Sequence, residues 1–293
     1  MNRLLVANRG EIAIRILRAA SELKIRTIAL YTYEDRYSLH RFKADEAYQI
    51  GLDDSPLKPY LDVEEIIKTA KKVKADAIHP GYGFLSESVI LARRCREEGI
   101  TFVGPRPEVM EALGDKIASK KIAREAQVPV IEDNQQALLT LEIALQEAQR
   151  IDFPVIFKAS AGGGGRGMRT IENVEQLREL LPIARRESKA AFGNDEVYLE
   201  KLVRHARHVE VQLLGDTHGN LVHLFERDCT VQRRNQKVVE RAPAPYLDEA
   251  RRAELCEYGL RIARHADYTC AGTVEFLQDV DTGAFYFIEV NPR

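Results

Sequence analysis

The sequence predicts an α/β protein whose second half turns α+β, on three observations. Over the first hundred residues, short apolar runs alternate with amphipathic stretches, which argues for a parallel sheet with helices on its faces. A glycine-rich run, "KASAGGGGRGM", then interrupts two apolar, strand-like segments near the middle of the chain. From "EVYLEKLV" onward β-type segments dominate, broken by one long helical pattern.

Taken in order, "RLLVA" reads as a strand, "GEIAIRILRAASELK" as an amphipathic helix and "IRTIALYT" as a second strand. "DVEEIIKTAKKVK" is helical, "ADAIHP" a short buried strand, "SESVILARRCREEG" a helix and "ITFVG" a strand. In a sheet of this kind ligands bind beyond the carboxyl ends of the strands, here at the turns "ANRGE" and "HPGYGF". The first turn carries a single glycine rather than GxGxxG, which disfavours a dinucleotide-binding dehydrogenase. Pro105 and Pro107 mark a boundary, giving an expected first domain over residues 1–112 and a second over 113–293. In the second, "KIASKKIAREAQ" and "LTLEIALQEAQRI" read as helices, and "FPVIFKAS" and "MRTI" as strands bracketing the glycines. "VEQLRELLPIARRESKAAF" reads as a helix in spite of Pro182. The strands "RHVEVQLLGD", "GNLVHLFERD", "GTVEFLQDV" and "AFYFIEVN" follow, with the helix "DEARRAELCEYGLRIARHA" among them.

Composition bounds the function. The 293 residues are 45% hydrophobic and 30% charged with a formal net charge of −2, the profile of a soluble globular chain without a global nucleic-acid or membrane signal. The start becomes polar too soon for a signal peptide, and no apolar run approaches membrane-spanning length. Cys95, Cys229, Cys256 and Cys270 show no CxxC spacing, so reduced cysteines and a cytoplasmic location are expected. The seven histidines form no HExxH pattern of a zinc hydrolase.

Three stretches carry chemistry. The glycine run reads either as a linker or as a hairpin loop whose bare N–H groups wrap phosphate oxygens. It is short and flanked by Lys158 and Arg166, which favours the loop, although GxxxxGK[ST] is absent. The second stretch is "GTVEFLQDVDTGAFYFIEVNPR". A turn over Asp279 to Gly283 sets Glu275 across from Glu289 and Thr273 across from Asn291, all on one face, with Val274, Phe276, Ile288 and Val290 on the other. Carboxylates about 5 Å apart repel, and a hard divalent cation removes that repulsion. The alternative is a solvated edge. Third, "ERDCTVQRRNQKVVERAP" gathers Arg227, Arg233, Arg234, Lys237 and Arg241. Interleaved acids and the lack of aromatics suit a small-anion site better than nucleic acid, and a solvated charged surface is the plain alternative.

The order "LLVANRGEIAIRILRA", "AIHPGYGFLSE", "GDK", "FKASAGGGGRGMR", "ERDCTVQRRNQKVVE" and "FIEVNPR" resembles the biotin carboxylase family of ATP-grasp enzymes along the whole chain. "YTYEDRYSLHRFKADEAYQIG", "QRRNQKVVERAPAPYL" and "EVNPR" are most similar to the family's pyruvate-directed branch, though subunits acting for acetyl-CoA or propionyl-CoA share most of these motifs. "HPGYGFLSE" with "QRRNQK" separates the chain from carbamoyl-phosphate-synthetase-like and peptide ligases, which share the lid and paired carboxylates.

The resemblance implies a Rossmann-like parallel-sheet pre-ATP-grasp domain followed by an ATP-grasp domain with a glycine-rich lid over about 130–202. It implies that ATP phosphorylates bicarbonate to carboxyphosphate, which carboxylates the ureido nitrogen of biotin. Lys116 and Lys158 match ATP-contacting lysines, and Gly162, Gly163, Gly164, Gly165, Arg166 and Gly167 form the lid loop. Glu200 and Lys201 match the adenine segment, and His208 a further nucleotide contact. Glu275, Glu289 and Asn291 match ligands of magnesium or manganese. Gln232, Lys237 and Arg293 match the bicarbonate and biotin side, Lys237 and Arg293 as catalytic residues, with Gln232 also on the nucleotide side; Tyr82 lines the biotin pocket. Asn235 stands where the family commonly has a histidine, which puts the nucleotide contact of that imidazole in doubt.

The chain stops at Arg293, before a catalytic glutamate and a further arginine of the family pattern. A fragment is therefore expected, with the carboxyl-terminal part of the ATP-grasp fold missing and an open sheet edge or exposed apolar face. Met1, Met110 and Met168 leave no MKM motif, so biotin is expected on another domain or polypeptide. A biotin carrier domain and a homo-oligomer in the full-length protein are the implied partners, with no nucleic acid and no membrane.

Overall fold

A computed structural model describes residues 1–51, 55–134, 138, 140–159, 168–234 and 236–293, without the side chains of Lys116, Ala159, Ala191 and Phe192. Gly162 to Gly167, Arg166 among them, Asn235 and the Lys116 side chain therefore lie outside the described residues.

The amino-terminal part runs β1 (Arg3–Val6), α1 (Gly10–Glu22), β2 (Arg26–Tyr31), α2 (Leu39–Lys43), β3 (Glu46–Gln49), α3 (Val63–Lys72), β4 (Ala77–His79), α4 (Val89–Glu97) and β5 (Thr101–Phe102). All its strand pairs are parallel, in the order β3-β2-β1-β4-β5. Side chains alternate between two buried faces. Leu5, Ile28, Leu30 and Ile78 enter one core, and Leu4, Val6, Ala29 and Ala77 the other. Burial on both faces is why these strands read as continuous apolar runs. The chain works outward from β1 to β3, then returns to the far side of β1 with β4. The order therefore reverses between β1 and β4, where the "ANRGE" and "HPGYGF" turns emerge together.

Next come α5 (Pro107–Gly114), α6 (Lys116–Glu125), α7 (Leu141–Ile151), β6 (Val155–Ala159), β7 (Arg169–Ile171), α8 (Val174–Phe192) and β8 (Val197–Lys201). The strands form a small antiparallel sheet, β7-β6-β8, over which α7 and α8 bury Val155, Phe157, Leu181 and Leu199. Local chemistry sets the helix starts. Asp115 accepts from the N–H groups of Ile117 and Ala118 to open α6, and Asn173 accepts from that of Gln176 to open α8. Gly193, at φ 77°, takes the left-handed position that closes α8.

The last part contains β9 (Ala206–Gly215), β10 (Leu221–Arg233), β11 (Gln236–Arg241), α9 (Glu249–His265), β12 (Cys270–Asp279) and β13 (Phe285–Pro292). Its antiparallel sheet has the order β11-β10-β9-β12-β13. One face packs Val209, Val211, Leu213, Val274, Phe276 and Phe287 against α5, α6 and α9. At the outer edge of β13 the Phe287 N–H donates to the Pro129 carbonyl at 2.8 Å. Leu224, Phe225, Val231, Val238 and Val239 leave apolar side chains exposed on β10 and β11.

The expected elements are present within a few residues of their bounds. Two strands were not anticipated as such. β3 carries Glu46 and Gln49 and is half-exposed, and β11 reads as part of a charged cluster because its side chains face water at a sheet edge. One expectation is corrected. Thr273–Asn291 and Glu275–Glu289 are cross-strand pairs as anticipated, but Phe276 faces Phe287 and Gln278 faces Phe285. A bulge at Ile288 separates the two registers, so Phe287, not Ile288, fills the apolar face.

Phe287 is fully buried and meets Phe276 edge-on, with ring centroids 6.3 Å apart. Phe287→Ala should cost about 3–5 kcal/mol of stability, read as a lower urea midpoint. A loss below about 1 kcal/mol would place the core elsewhere.

Candidate functional site

The face of the antiparallel sheet opposite the core is polar. The alternation "HVEVQL" in β9 sends Val209 and Val211 inward and leaves His208, Glu210 and Gln212 on this face. Direct cross-strand pairing then aligns Arg227, Glu210, Glu275 and Glu289 in one row over β10, β9, β12 and β13. Three carboxylates side by side repel unless cations stand between them. Lys237, reaching in from β11, contacts Glu210 and donates to Glu275 Oε1 at 2.7 Å. Arg227 donates through Nε to Glu210 Oε1 at 2.6 Å.

Glu275 is only 5% exposed. Its Oε1 also accepts from Asn291 Nδ2 at 2.7 Å, and its Oε2 lies 2.5 Å from His208 Nε2. Gln232 Nε2 in turn lies 2.8 Å from His208 Nδ1. A neutral imidazole satisfies both contacts, accepting at Nδ1 and donating at Nε2. Burial works to raise the Glu275 pKa, but the contacts with His208 and Lys237 outweigh it and hold the carboxyl down at about 2. Burial likewise disfavours the Lys237 ammonium, and bonding to Glu210 and Glu275 reverses this and raises its pKa.

The structure thus joins Gln232, His208, Lys237, Glu275 and Asn291 in one network, with Glu289 directly across from Glu275. Two carboxylates and an amide oxygen are the hard donor set that suits magnesium or manganese, so Glu275, Glu289 and Asn291 fit such an ion. Glu210, 3% exposed, was missed by sequence reasoning; its position between Val209 and Val211, in phase with His208, was the available signal.

A second group of charges sits on the small sheet. Lys158, leaving β6, contacts Glu200 Oε1, and Lys120 on α6 donates to Glu200 Oε2 at 2.6 Å. Lys201 points away, its ammonium donating to the carbonyls of Asp152 and Phe153 at 2.9 and 3.1 Å. The described strands β6 and β7, on either side of the glycine run in sequence, pair antiparallel with each other.

Two expected residues stand apart from the row. Arg293 lies four strand positions beyond Glu289, about 13 Å along the strand, and its Nε approaches Glu87 Oε1 of the amino-terminal part at 3.3 Å. Its backbone N–H donates to Tyr268 Oη at 3.0 Å, so the end of β13 is tied down. Tyr82 contacts the Glu11 carboxylate across a pocket lined by Asn8, Arg9, Gly10 and Phe84, at the sheet's reversal between β1 and β4. Of the basic cluster, Arg227, Lys237 and Arg241 bond to internal carboxylates, while Arg233 and Arg234 are exposed. Among the described residues no helix is long and apolar enough to cross a membrane.

Comparison with known proteins agrees with this architecture. Residues 1–110 match the family model "Biotin carboxylase, N-terminal domain", and residues 115–293 match "Carbamoyl-phosphate synthase L chain, ATP binding domain". Pyruvate carboxylase of Bacillus subtilis is 54% identical over 293 residues, covering 100% of this chain and 25% of that protein. A solved pyruvate carboxylase of Rhizobium etli is 56% identical with TM-score 0.88, over 100% of this chain and 26% of that one. The biotin carboxylase domain of Hydrogenobacter thermophilus 2-oxoglutarate carboxylase, solved with MgADP, ADP and bicarbonate, is 46% identical with TM-score 0.89, over 100% and 64%. The chain therefore spans about a quarter of the pyruvate carboxylases it matches. With a biotin carboxylase amino-terminal domain joined to this type of ATP-binding domain on a parallel-sheet and antiparallel-sheet frame, the chain belongs to the biotin carboxylase family.

Proposed function

We propose that this chain carries the first half-reaction of a biotin-dependent carboxylase, the ATP-dependent carboxylation of biotin by bicarbonate, with pyruvate as the final carboxyl acceptor. The observation that carries the reading is the buried row in which Lys237 bridges Glu210 and Glu275, with His208, Gln232 and Asn291 bonded around it. The 54% identity to a pyruvate carboxylase over the whole chain supports the acceptor.

In this reading the γ-phosphoryl group of ATP passes to a bicarbonate oxygen, releasing ADP. The carboxyphosphate so formed splits into phosphate and carbon dioxide; the ureido nitrogen of biotin gives its proton to that phosphate and bonds the carbon dioxide. Glu275, Glu289 and Asn291 would hold the magnesium or manganese ion, which when bound offsets phosphate charge during transfer. Lys158 and Lys116 hold phosphate oxygens. The loop Gly162–Gly167 with Arg166, in a lid over about 130–202, excludes water from the labile intermediate. The backbone of Glu200 and Lys201 holds the adenine, because the Glu200 carboxylate is bonded to Lys120 and Lys158 and the Lys201 ammonium to carbonyls. His208 contacts the nucleotide. Lys237, Gln232 and Arg293 orient bicarbonate, which requires the Arg293 side chain to leave Glu87. Tyr82 borders the biotin ring. Biotin arrives on a carrier domain, and the complete protein self-associates.

The decisive assay is ADP release from MgATP by the protein containing this chain, with and without bicarbonate and biotin. Release that needs both supports the reading; release indifferent to both refutes it. Glu275→Gln together with Glu289→Gln should abolish magnesium-dependent ATP binding by calorimetry while far-UV circular dichroism stays unchanged. Unaltered nucleotide affinity in that double variant would remove the metal assignment.

A pH dependence follows from Glu275. Its carboxyl is depressed in the fold from an ordinary 4.5 to about 2. Its contribution to stability is therefore complete above pH 4.5 and lost as pH falls toward 2. Urea titrations across that window should show a shallower loss of stability for Glu275→Gln than for the parent. Parallel profiles would mean that the carboxylate is not held by its neighbours.

A further inference from the structure

The charges between α6 and the small sheet do more than pack the lid base. Lys120 donates to Asp133 Oδ2 at 2.7 Å and Glu200 Oε2 at 2.6 Å, and Arg124, one turn further along α6, donates to Asp133 Oδ1 at 2.9 Å. Asp133 and Glu200 are partners in an isolated antiparallel bridge, so both carboxylates start from adjoining backbone positions. Their side chains are 6% and 5% exposed. Two buried carboxylates so placed need cations between them.

The described side chains of this group comprise two carboxylates and three cations, Lys120, Arg124 and Lys158. Lys120 and Arg124 alone balance Asp133 and Glu200, which makes the Lys158 charge the surplus one. The contacts agree. Lys120 touches both carboxylates and is 13% exposed, whereas Lys158 touches only Glu200 among the described residues and is 27% exposed. Burial opposes the Lys120 ammonium, yet Glu200 and Asp133 raise its pKa above the ordinary value, so its charge persists.

We propose that Lys120 is a positioning residue for nucleotide binding: by neutralising Glu200 it leaves the Lys158 ammonium free to move from that carboxylate to an ATP phosphate. This rests on the function proposed above. Without Lys120, transfer of Lys158 would strand a buried carboxylate, so Glu200 would compete with the phosphate for the same ammonium.

The test uses the full-length protein and MgATP. Lys120→Met should weaken ATP binding and raise KM for ATP at least about tenfold, with a smaller effect on kcat. Lys120→Arg, which keeps the charge, should stay within about threefold of the parent. The discriminating variant adds Glu200→Gln to Lys120→Met: removing the competing carboxylate should restore much of the lost affinity. If Lys120 served only as scaffold, the second substitution would add to the damage, and that outcome overturns the proposal, as does an unchanged KM in Lys120→Met. Should Lys120→Met fail to melt cooperatively, Asp133→Asn decides, because it leaves the whole Lys120 charge to Glu200. It should bind ATP at least as tightly as the parent, and weaker binding refutes the competition. A parent that binds no MgATP removes the function reading and this role together, whereas ATP binding indifferent to Lys120 removes this role alone.

Discussion

The arrangement of the larger site depends on placing like charges side by side on a sheet whose other face is core. Register allows no compromise here, because a one-residue slip in β12 would send Glu275 into the apolar layer and Val274 or Phe276 into water. The apolar side chains of β9, β12 and β13 therefore hold Glu210, Glu275 and Glu289 in line, against their mutual repulsion. Lys237, which bridges Glu210 and Glu275, and Arg227, which bonds Glu210 from the end of the row, make that alignment tolerable. Hydrophobic burial on one face and charge compensation on the other are two halves of one constraint.

The same logic recurs at the small sheet, where cations and carboxylates are again interleaved in a poorly solvated place. A lysine held by a protein carboxylate is ordered before any ligand arrives, so less side-chain entropy is lost on binding. The cost is that a ligand must compete with the carboxylate. Such a site binds by exchange of partners, and its affinity depends on how many other cations the carboxylate retains.

Much of the fold could be read from the amino acids because its signals are local. The parallel sheet followed from runs buried on both faces, and α8 from a periodic pattern strong enough to absorb Pro182. The pairing of Glu275 with Glu289 followed from alternation and a turn. What escaped depended on distant chain. Glu210 joins the row only because β9 is the central strand, between β10 and β12, an order no single segment encodes. Lys120 and Asp133 acquire their partners through an isolated bridge to Glu200, far along the chain. Arg293 and Glu87 meet only because the amino-terminal part of the chain lies against the end of β13. Exposed charged edges such as β11 stay hidden to pattern reading because no buried face imprints a period on them.

The bulge at Ile288 has a consequence for where the determinants of this site lie. Between turn and bulge, the hairpin is phased so that a regular ladder would bring Ile288, not Glu289, opposite Glu275. One extra residue resets the phase, and only beyond it do the two glutamates meet and Asn291 come level with Thr273. A side chain with no donor, acceptor or charge thus acts as a spacer for a polar constellation. Within this hairpin, the length of chain between the turn and Glu289 carries as much chemical information as the identity of the residues that would touch the ligand.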